Sequence, residues 1–150
     1  MATFNCGPST VTRRHRDSNN LAHGVCAIFA GGDFDHKKGG HIILFDLKVV
    51  IQFPSGSTAI IPSAGIAHGN VPIQEGETRV SFTQYCSGWI MRAVDWGYQK
   101  KSQICEGKGP EAEALRKKIE KETPQRWDWA MGLFSKIQDL REDREITPHS

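Results

Sequence analysis

The sequence predicts a mainly β protein, a sandwich or jelly roll, with helices confined to its C-terminal third. Three observations carry this. Up to about residue 98, short apolar runs alternate with clusters of Gly, Pro, Asn and Asp, which is the texture of strands and turns. Beyond that point apolar residues recur at helical spacing. At 150 residues the chain has room for one sizeable core and little more, so one functional site is expected.

Taken in order, strands are expected at residues 9–14, 21–30, 41–45, 48–53, 58–62, 66–69 and 78–86. The connections "GGDFDHKKGG", "PSGS" and "IQEGE" are turn chemistry. The first of them, with four glycines, reads equally as a lid near a site or as a plain surface turn. A first helix is expected over "GPEAEALRKKIEKE", where Pro110 suits the first turn and Ala112, Leu115 and Ile119 share one face. Thr123-Pro124 ends it, and "RWDWAMGLFSKIQDL" supplies a second helix. Both helices are expected to pack outside the β unit, and the charged end "REDREITPHS" to fray. The chain thus divides into a β core over 1–98 and a helical extension over 99–150. Trp89, Trp96, Trp127 and Trp129 are expected mainly to seal the core or dock helices.

Composition excludes several classes of function. Nineteen Lys+Arg against 17 Asp+Glu give a net charge of +2, too balanced to argue for a nucleic-acid groove or a membrane surface, so a polyanion partner would need a local patch. Cys6, Cys26, Cys86 and Cys105 lack the paired spacing of a zinc site, and a chain of this length does not need disulfides, so reduced thiols and an intracellular setting are expected. No apolar run approaches the roughly 20 residues of a membrane span, and the opening residues lack the apolar core of a secretion signal.

The chemistry-bearing residues begin in "TRRHRDSNNLAHG". His15-x-Asp17 alone is as ordinary as any polar pair in a loop. A second histidine, His68 in "IIPSAGIAHGN", follows 53 residues later at the end of an apolar strand. Two imidazoles and one carboxylate on a single face form the ligand set of a non-haem Fe(II) site that keeps the opposite positions open. Eleven residues beyond His68 stands Arg79 in "GETRVSFTQY", with Ser81 two further on and therefore on the same face of a strand. A guanidinium fork beside a hydroxyl is a receptor for a carboxylate. Asn70 shares the face of His68 if the strand continues, but is equally turn chemistry before Val71-Pro72. His23, His36 and His41 stand at no ligand spacing and receive no role.

His-x-Asp, a distal His and then Arg-x-Ser among short strands resemble the signature of the Fe(II)- and 2-oxoglutarate-dependent oxygenases, over roughly residues 4–98. More closely, "HRDSNNLAHG", the stretch from "GGDFDHKKGG" to "GIAHGN" and "GETRVSFTQY" resemble short oxygenase-like proteins of mushroom-forming fungi, related to the prolyl-hydroxylase and nucleobase-oxidising branches. The resemblance implies a double-stranded β-helix with Fe(II) held by His15, Asp17 and His68. Arg79 and Ser81 would then hold the distal carboxylate of 2-oxoglutarate.

Three functions follow as alternatives. The first is a dioxygenase that oxidises a C–H bond of a small molecule, a protein side chain or a nucleobase, releasing succinate and CO2. The second is a truncated pseudoenzyme or metal-binding jelly-roll module, because only 14 residues precede His15 where family members carry buttressing elements. The third is a cupin-like metal protein, disfavoured because His15-x-Asp17 stands where the cupin pattern wants His-x-His.

Overall fold

The structure, a computed structural model, describes residues 1–146 and separates into two units, Met1–Asp95 and Trp96 onward. The first holds seven strands and one helix: β1 (Ala2–Asn5), β2 (Cys26–Gly31), β3 (Ile42–Leu44), β4 (Val49–Ile51), β5 (Thr58–Ile61), β6 (His68–Asn70), β7 (Val80–Tyr85) and α1 (Gly88–Asp95). The strands form two antiparallel sheets, one ordered β1-β7-β2-β5 and one ordered β4-β3-β6.

Strand alternation sorts the larger sheet into two faces. Ile28 of β2 pairs with Ala59 of β5 across the ladder, and these two, with Ala30 of β2 and Ile61 of β5, point inward. There they meet Ile42 and Leu44 of β3 from the smaller sheet, with Phe53, Phe34 and Ile66 closing the core. Each large apolar side chain buried here contributes about 1.5–3 kcal/mol. Toward β7 and β1 the same inner face turns polar, with Ser81, Thr83, Thr3 and Asn5. The space between the sheets is therefore core on one side and a polar cavity on the other. The outer face of this sheet stays apolar and open: Phe4 is 71% exposed against Phe82 at 4.7 Å between ring centroids, and Ile60 is 67% exposed.

Six of the seven expected strands have a counterpart, most of them shortened. Residues 9–14 form none, because this segment divides its hydrogen bonds between the two sheets. Arg79 N–H donates to Pro8 and Thr10 N–H to the Arg79 carbonyl beside β7, whereas Thr12 and His15 exchange bonds with Asn70 and His68 of β6. A chain crossing from one sheet to the other cannot stay in either ladder. β1 was not expected, since its partner β7 lies about 80 residues away in the chain. Nor was α1, which ends the β unit with Ser87 as its cap: the Trp89 N–H donates to the Ser87 hydroxyl at 3.3 Å.

The second unit contains α2 (Lys101–Glu106), α3 (Pro110–Glu122), a 3-10 turn (Thr123–Gln125), α4 (Arg126–Met131) and α5 (Leu140–Ile146). Helix α3 starts at Pro110, as the sequence requires, with Glu111 and Glu113 in its first turn and Lys121 in its last, each at the end its charge favours. Arg116 of α3 donates to the carbonyls of Ile104 and Gly107 at 2.9 and 2.7 Å, tying down the end of α2. The expected helix over 126–140 stops at Met131, because Gly132 follows and lowers helix propensity. Residues 141–146, expected to fray, are helical in α5, and the last four lie outside the described residues. Of the four tryptophans only Trp96 is buried; Trp89, Trp127 and Trp129 are 46, 54 and 59% exposed, contrary to the expected sealing role. Trp127 and Trp129, two apart on one helix, cannot share a buried face, and Ala130 takes it in α4.

Candidate metal centre

His15 and His68 stand directly opposite one another as an isolated antiparallel pair. The His15 N–H donates to the His68 carbonyl at 3.0 Å and the His68 N–H to the His15 carbonyl at 2.9 Å. Residues paired in this way carry their side chains on one face, and the two imidazoles lie 4.3 Å apart between centroids. Asp17, two residues beyond His15 in extended chain, returns to the same face. Its backbone N–H is held by the Ser63 carbonyl at 3.0 Å.

One turn further along the pairing, Asn70 N–H donates to the Thr12 carbonyl at 3.0 Å and the Asn70 side-chain oxygen accepts from Thr12 N–H at 2.7 Å. Arg13 and Arg14 therefore stand opposite the single residue Gly69, the arrangement of a β-bulge, which re-aims the chain that follows. Gly69 permits it: a Cβ there would lie 2.8 Å from the Thr12 carbonyl oxygen. Asn70 thus serves neither as a turn residue alone nor as a partner of His68. It fastens the 10–12 segment, donating also to the Thr10 carbonyl at 3.1 Å.

The three side chains converge. The Nε2 atoms of His15 and His68 lie 3.4 and 4.0 Å from the two oxygens of Asp17, and the three candidate ligand atoms all fall within 4.8 Å of one another. Each imidazole is oriented by its own backbone: Nδ1 of His15 lies 2.9 Å from the Arg13 carbonyl and Nδ1 of His68 3.0 Å from the Ile66 carbonyl. A carbonyl only accepts, so each Nδ1 donates to its carbonyl and each Nε2 is the ring nitrogen turned toward Asp17. Asn20 Nδ2 donates to Asp17 Oδ2 and to the buried Ser63 hydroxyl, both at 3.1 Å, which fixes the carboxylate. Burial, and then the nearby Asp17 charge, push the Cys26 thiol up beside the cluster.

A brace missed by sequence reading sits behind the cluster. Both oxygens of the Asp46 carboxylate accept from Nη2 of Arg16, at 3.0 and 2.9 Å, and Oδ2 also accepts the Ala67 N–H at 2.7 Å. Arg16 lies between His15 and Asp17, and Ala67 precedes His68, so one carboxylate joins both arms of the site. The Ala67 amide, and then Arg16, hold the Asp46 carboxyl below the ordinary carboxylate range.

The cluster opens into a cavity of about 690 Å³ whose wall includes Arg79 and Ser81. Arg79 is 2% exposed, yet no carboxylate pairs with it among the described residues. Its Nη1 donates to the Thr10 carbonyl at 3.1 Å, while its Nε–H is buried with no partner. Burial accordingly pulls its pKa down. Ser81 lies on the same face, and its hydroxyl accepts from Asn5 at 3.0 Å, which leaves its own proton free to donate into the cavity. Residues 31–40, with the glycine-rich turn, do not line the cavity, and neither do His23 and His41.

No family model and no curated protein sequence matches the chain. Among solved structures it is similar to NgTET1 in complex with 5mC DNA, at 16% identity and a TM-score of 0.51, over 58% of this chain and 33% of that one. It is also aligned, at 14% identity and a TM-score of 0.40, with the viral collagen prolyl hydroxylase vCPH from Paramecium Bursaria Chlorella virus-1 in its 2OG complex, over 55% of this chain and 59% of that one. The chain thus spans a third of the first structure's length and less than two thirds of the second's. The likeness to NgTET1 shows a shared fold of antiparallel sheets over 58% of this chain.

Proposed function

We propose that the chain is an Fe(II)- and 2-oxoglutarate-dependent dioxygenase built on a double-stranded β-helix, with iron on His15, Asp17 and His68 and the keto acid's far carboxylate on Arg79 and Ser81. The observation that carries this reading is the coincidence, in one cavity, of a His/Asp/His cluster and a buried guanidinium lacking an anion. Either feature alone is weak. A buried unpaired donor costs about 1–3 kcal/mol, and more when charged, so Arg79 is tolerable where a ligand carboxylate completes it. The resemblance of the motif-bearing stretches to the short fungal oxygenase-like proteins, and the fold likeness to NgTET1, support the same reading.

The residues present fit both groups. Two neutral imidazoles and a carboxylate are the donor set of a non-haem Fe(II) centre with open positions, and the Nδ1 contacts hold the tautomer that such binding needs. Bound together, iron and 2-oxoglutarate would supply the oxidising power by consuming O2, whose one oxygen atom would enter a substrate C–H bond and whose other would enter succinate as the keto acid loses CO2. The chain's own part is placement. Arg79 and Ser81 orient the keto acid, Asn20 and Ser63 keep the Asp17 carboxylate turned to the metal, and the sheet walls limit water.

The test is succinate formation by purified protein given Fe(II), ascorbate and 2-oxoglutarate without added substrate. Uncoupled succinate release that disappears in Arg79→Ala and in Asp17→Ala supports the reading. Metal binding without any succinate, in the presence of saturably bound keto acid, would make the protein a metal-binding jelly-roll module instead.

A further inference from the structure

Four charged side chains line the cavity beside the two histidines: Arg16, Asp17, Arg79 and Arg92. Two are committed, Arg16 to Asp46 and Asp17 to the histidine cluster. The other two are guanidinium groups that no carboxylate neutralises among the described residues. Arg79 lies at the floor. Arg92 comes from α1, half-buried, with its head folded back over the start of its own helix. Its Nη1 and the Asn20 carbonyl oxygen lie 3.3 and 3.4 Å from the point that a Cβ on Gly88 would occupy. That places the Arg92 head beside the loop whose Asn20 side chain holds Asp17. Trp89, one helical turn earlier, lines the same cavity.

One dicarboxylate satisfies only one of these cations. In the oxygenase reading, on which this inference rests, 2-oxoglutarate takes the metal with one end and Arg79 with the other, so Arg92 is left facing the cavity. A volume of about 690 Å³ lies within the range of sites for drug-sized molecules, with room for a second small molecule beside the keto acid. We infer that the substrate is a metabolite-sized oxyanion, a carboxylate or a phosphate, whose charged group is held by Arg92 and whose body lies against Trp89. Arg92 is then a specificity-determining residue: it selects acids over their neutral analogues and turns the rest of the molecule toward His15, Asp17 and His68. A planar fork suits either oxyanion, since both accept two parallel N–H bonds.

The experiment uses the full chain loaded with Zn(II), a diamagnetic substitute, and saturated with 2-oxoglutarate. The Trp89 indole N–H resonance is followed while benzoate, phenyl phosphate or the neutral benzyl alcohol is added. At least one of the two anions should bind saturably and at least tenfold more tightly than benzyl alcohol, and the tighter one identifies the oxyanion. Arg92→Gln should weaken it at least tenfold while 2-oxoglutarate affinity stays within twofold, which also reports an intact fold; Arg92→Lys should recover part of the loss. Equal binding of benzyl alcohol, no saturable binding of either anion, or an equal loss of 2-oxoglutarate affinity in Arg92→Gln and Arg79→Lys would each overturn the inference. So would saturation by a short oligothymidylate where neither small anion binds, because the site would then read a polymer. If wild type does not bind 2-oxoglutarate, the oxygenase reading fails by itself, and the same titrations on zinc-loaded protein without keto acid still decide the role of Arg92.

Discussion

His15 and His68, 53 residues apart in sequence, are joined by a reciprocal pair of backbone hydrogen bonds at 3.0 and 2.9 Å, so the same contact that closes the fold also brings two imidazoles together. The site is thus prepared by backbone pairing before any ion arrives. Preparation of this kind lowers the ordering cost of binding. Replacing His68 or Asp17 by Ala should abolish saturable Mn(II) binding in anaerobic calorimetry, because the remaining two donors no longer cap one face of an ion. The circular dichroism spectrum should change little, since the apolar core of Ala30, Ile42, Leu44, Phe53 and Ile61 lies elsewhere. Unchanged Mn(II) affinity in both variants would remove the metal assignment.

Gly69 makes the bulge possible, so its substitution should be felt at His15 rather than in the core. A Cβ 2.8 Å from the Thr12 carbonyl oxygen and 3.2 Å from that of Arg13 meets backbone, which cannot simply rotate away. Gly69→Ala should therefore shift the 12–15 segment and weaken Mn(II) binding on the order of tenfold or more, as loss of supporting contacts does at metal sites. The thermal midpoint should also fall. A variant with wild-type metal affinity would show that the bulge does not set the direction of His15.

The motif residues were legible because extended chain puts i and i+2 on one face, which needs only local sequence: His15-x-Asp17 and Arg79-x-Ser81 both follow this rule. Asp46, Gly69 and Asn20 were not legible. Asp46 and Gly69 act through partners distant in the chain, Asp46 on Ala67 and Gly69 against Thr12, and Asn20 reaches Asp17 three residues away only in a turn that the distant Ser63 hydroxyl also holds. The same reason hid β1, four residues that become a strand only by pairing with β7. Helix α1 does carry a local signal, Ser87 before the run "GWIMRAVD", but its apolar residues continue the β texture that precedes it. Arg92 was missed with it.

Asp46 should couple metal binding to acidity. Its folded carboxyl titrates below the ordinary value near 3.9, so the stabilisation it gives is fully present above the unfolded-state range and is lost as pH falls through the lower folded value. Asp46→Asn keeps an acceptor for Ala67 but loses the charge that grips Arg16. The variant should unfold at a lower temperature than wild type, with a gap that is constant above about pH 5 and narrows below about pH 4. Its Mn(II) affinity near neutral pH should drop by about 10–100-fold, the usual effect of removing a group that orients metal ligands. A gap that widened on acidification would contradict the assigned direction.

Arg79 should reveal itself by opposite effects on stability and on ligand binding. Arg79→Lys keeps a charge but loses the planar fork, and should cost about 1.5–3 kcal/mol of 2-oxoglutarate affinity, the range for a hydrogen bond to a charged group, with Mn(II) affinity unchanged. Ser81→Ala should cost less, on the order of 1 kcal/mol. Arg79→Met fills similar volume without burying an uncompensated cation. In the absence of ligand it should therefore melt at or above the wild-type temperature, while binding no 2-oxoglutarate. The residue would then be one the fold alone does not need, kept at a cost in stability for a carboxylate that completes it. Thermal unfolding of both proteins, with and without saturating 2-oxoglutarate, decides the matter. Wild type should gain stability from the keto acid by mass action and Arg79→Met should gain none. If Arg79→Met is strongly destabilised without ligand, the guanidinium belongs to the architecture through its bond to the Thr10 carbonyl, and its place in the binding site must be given up.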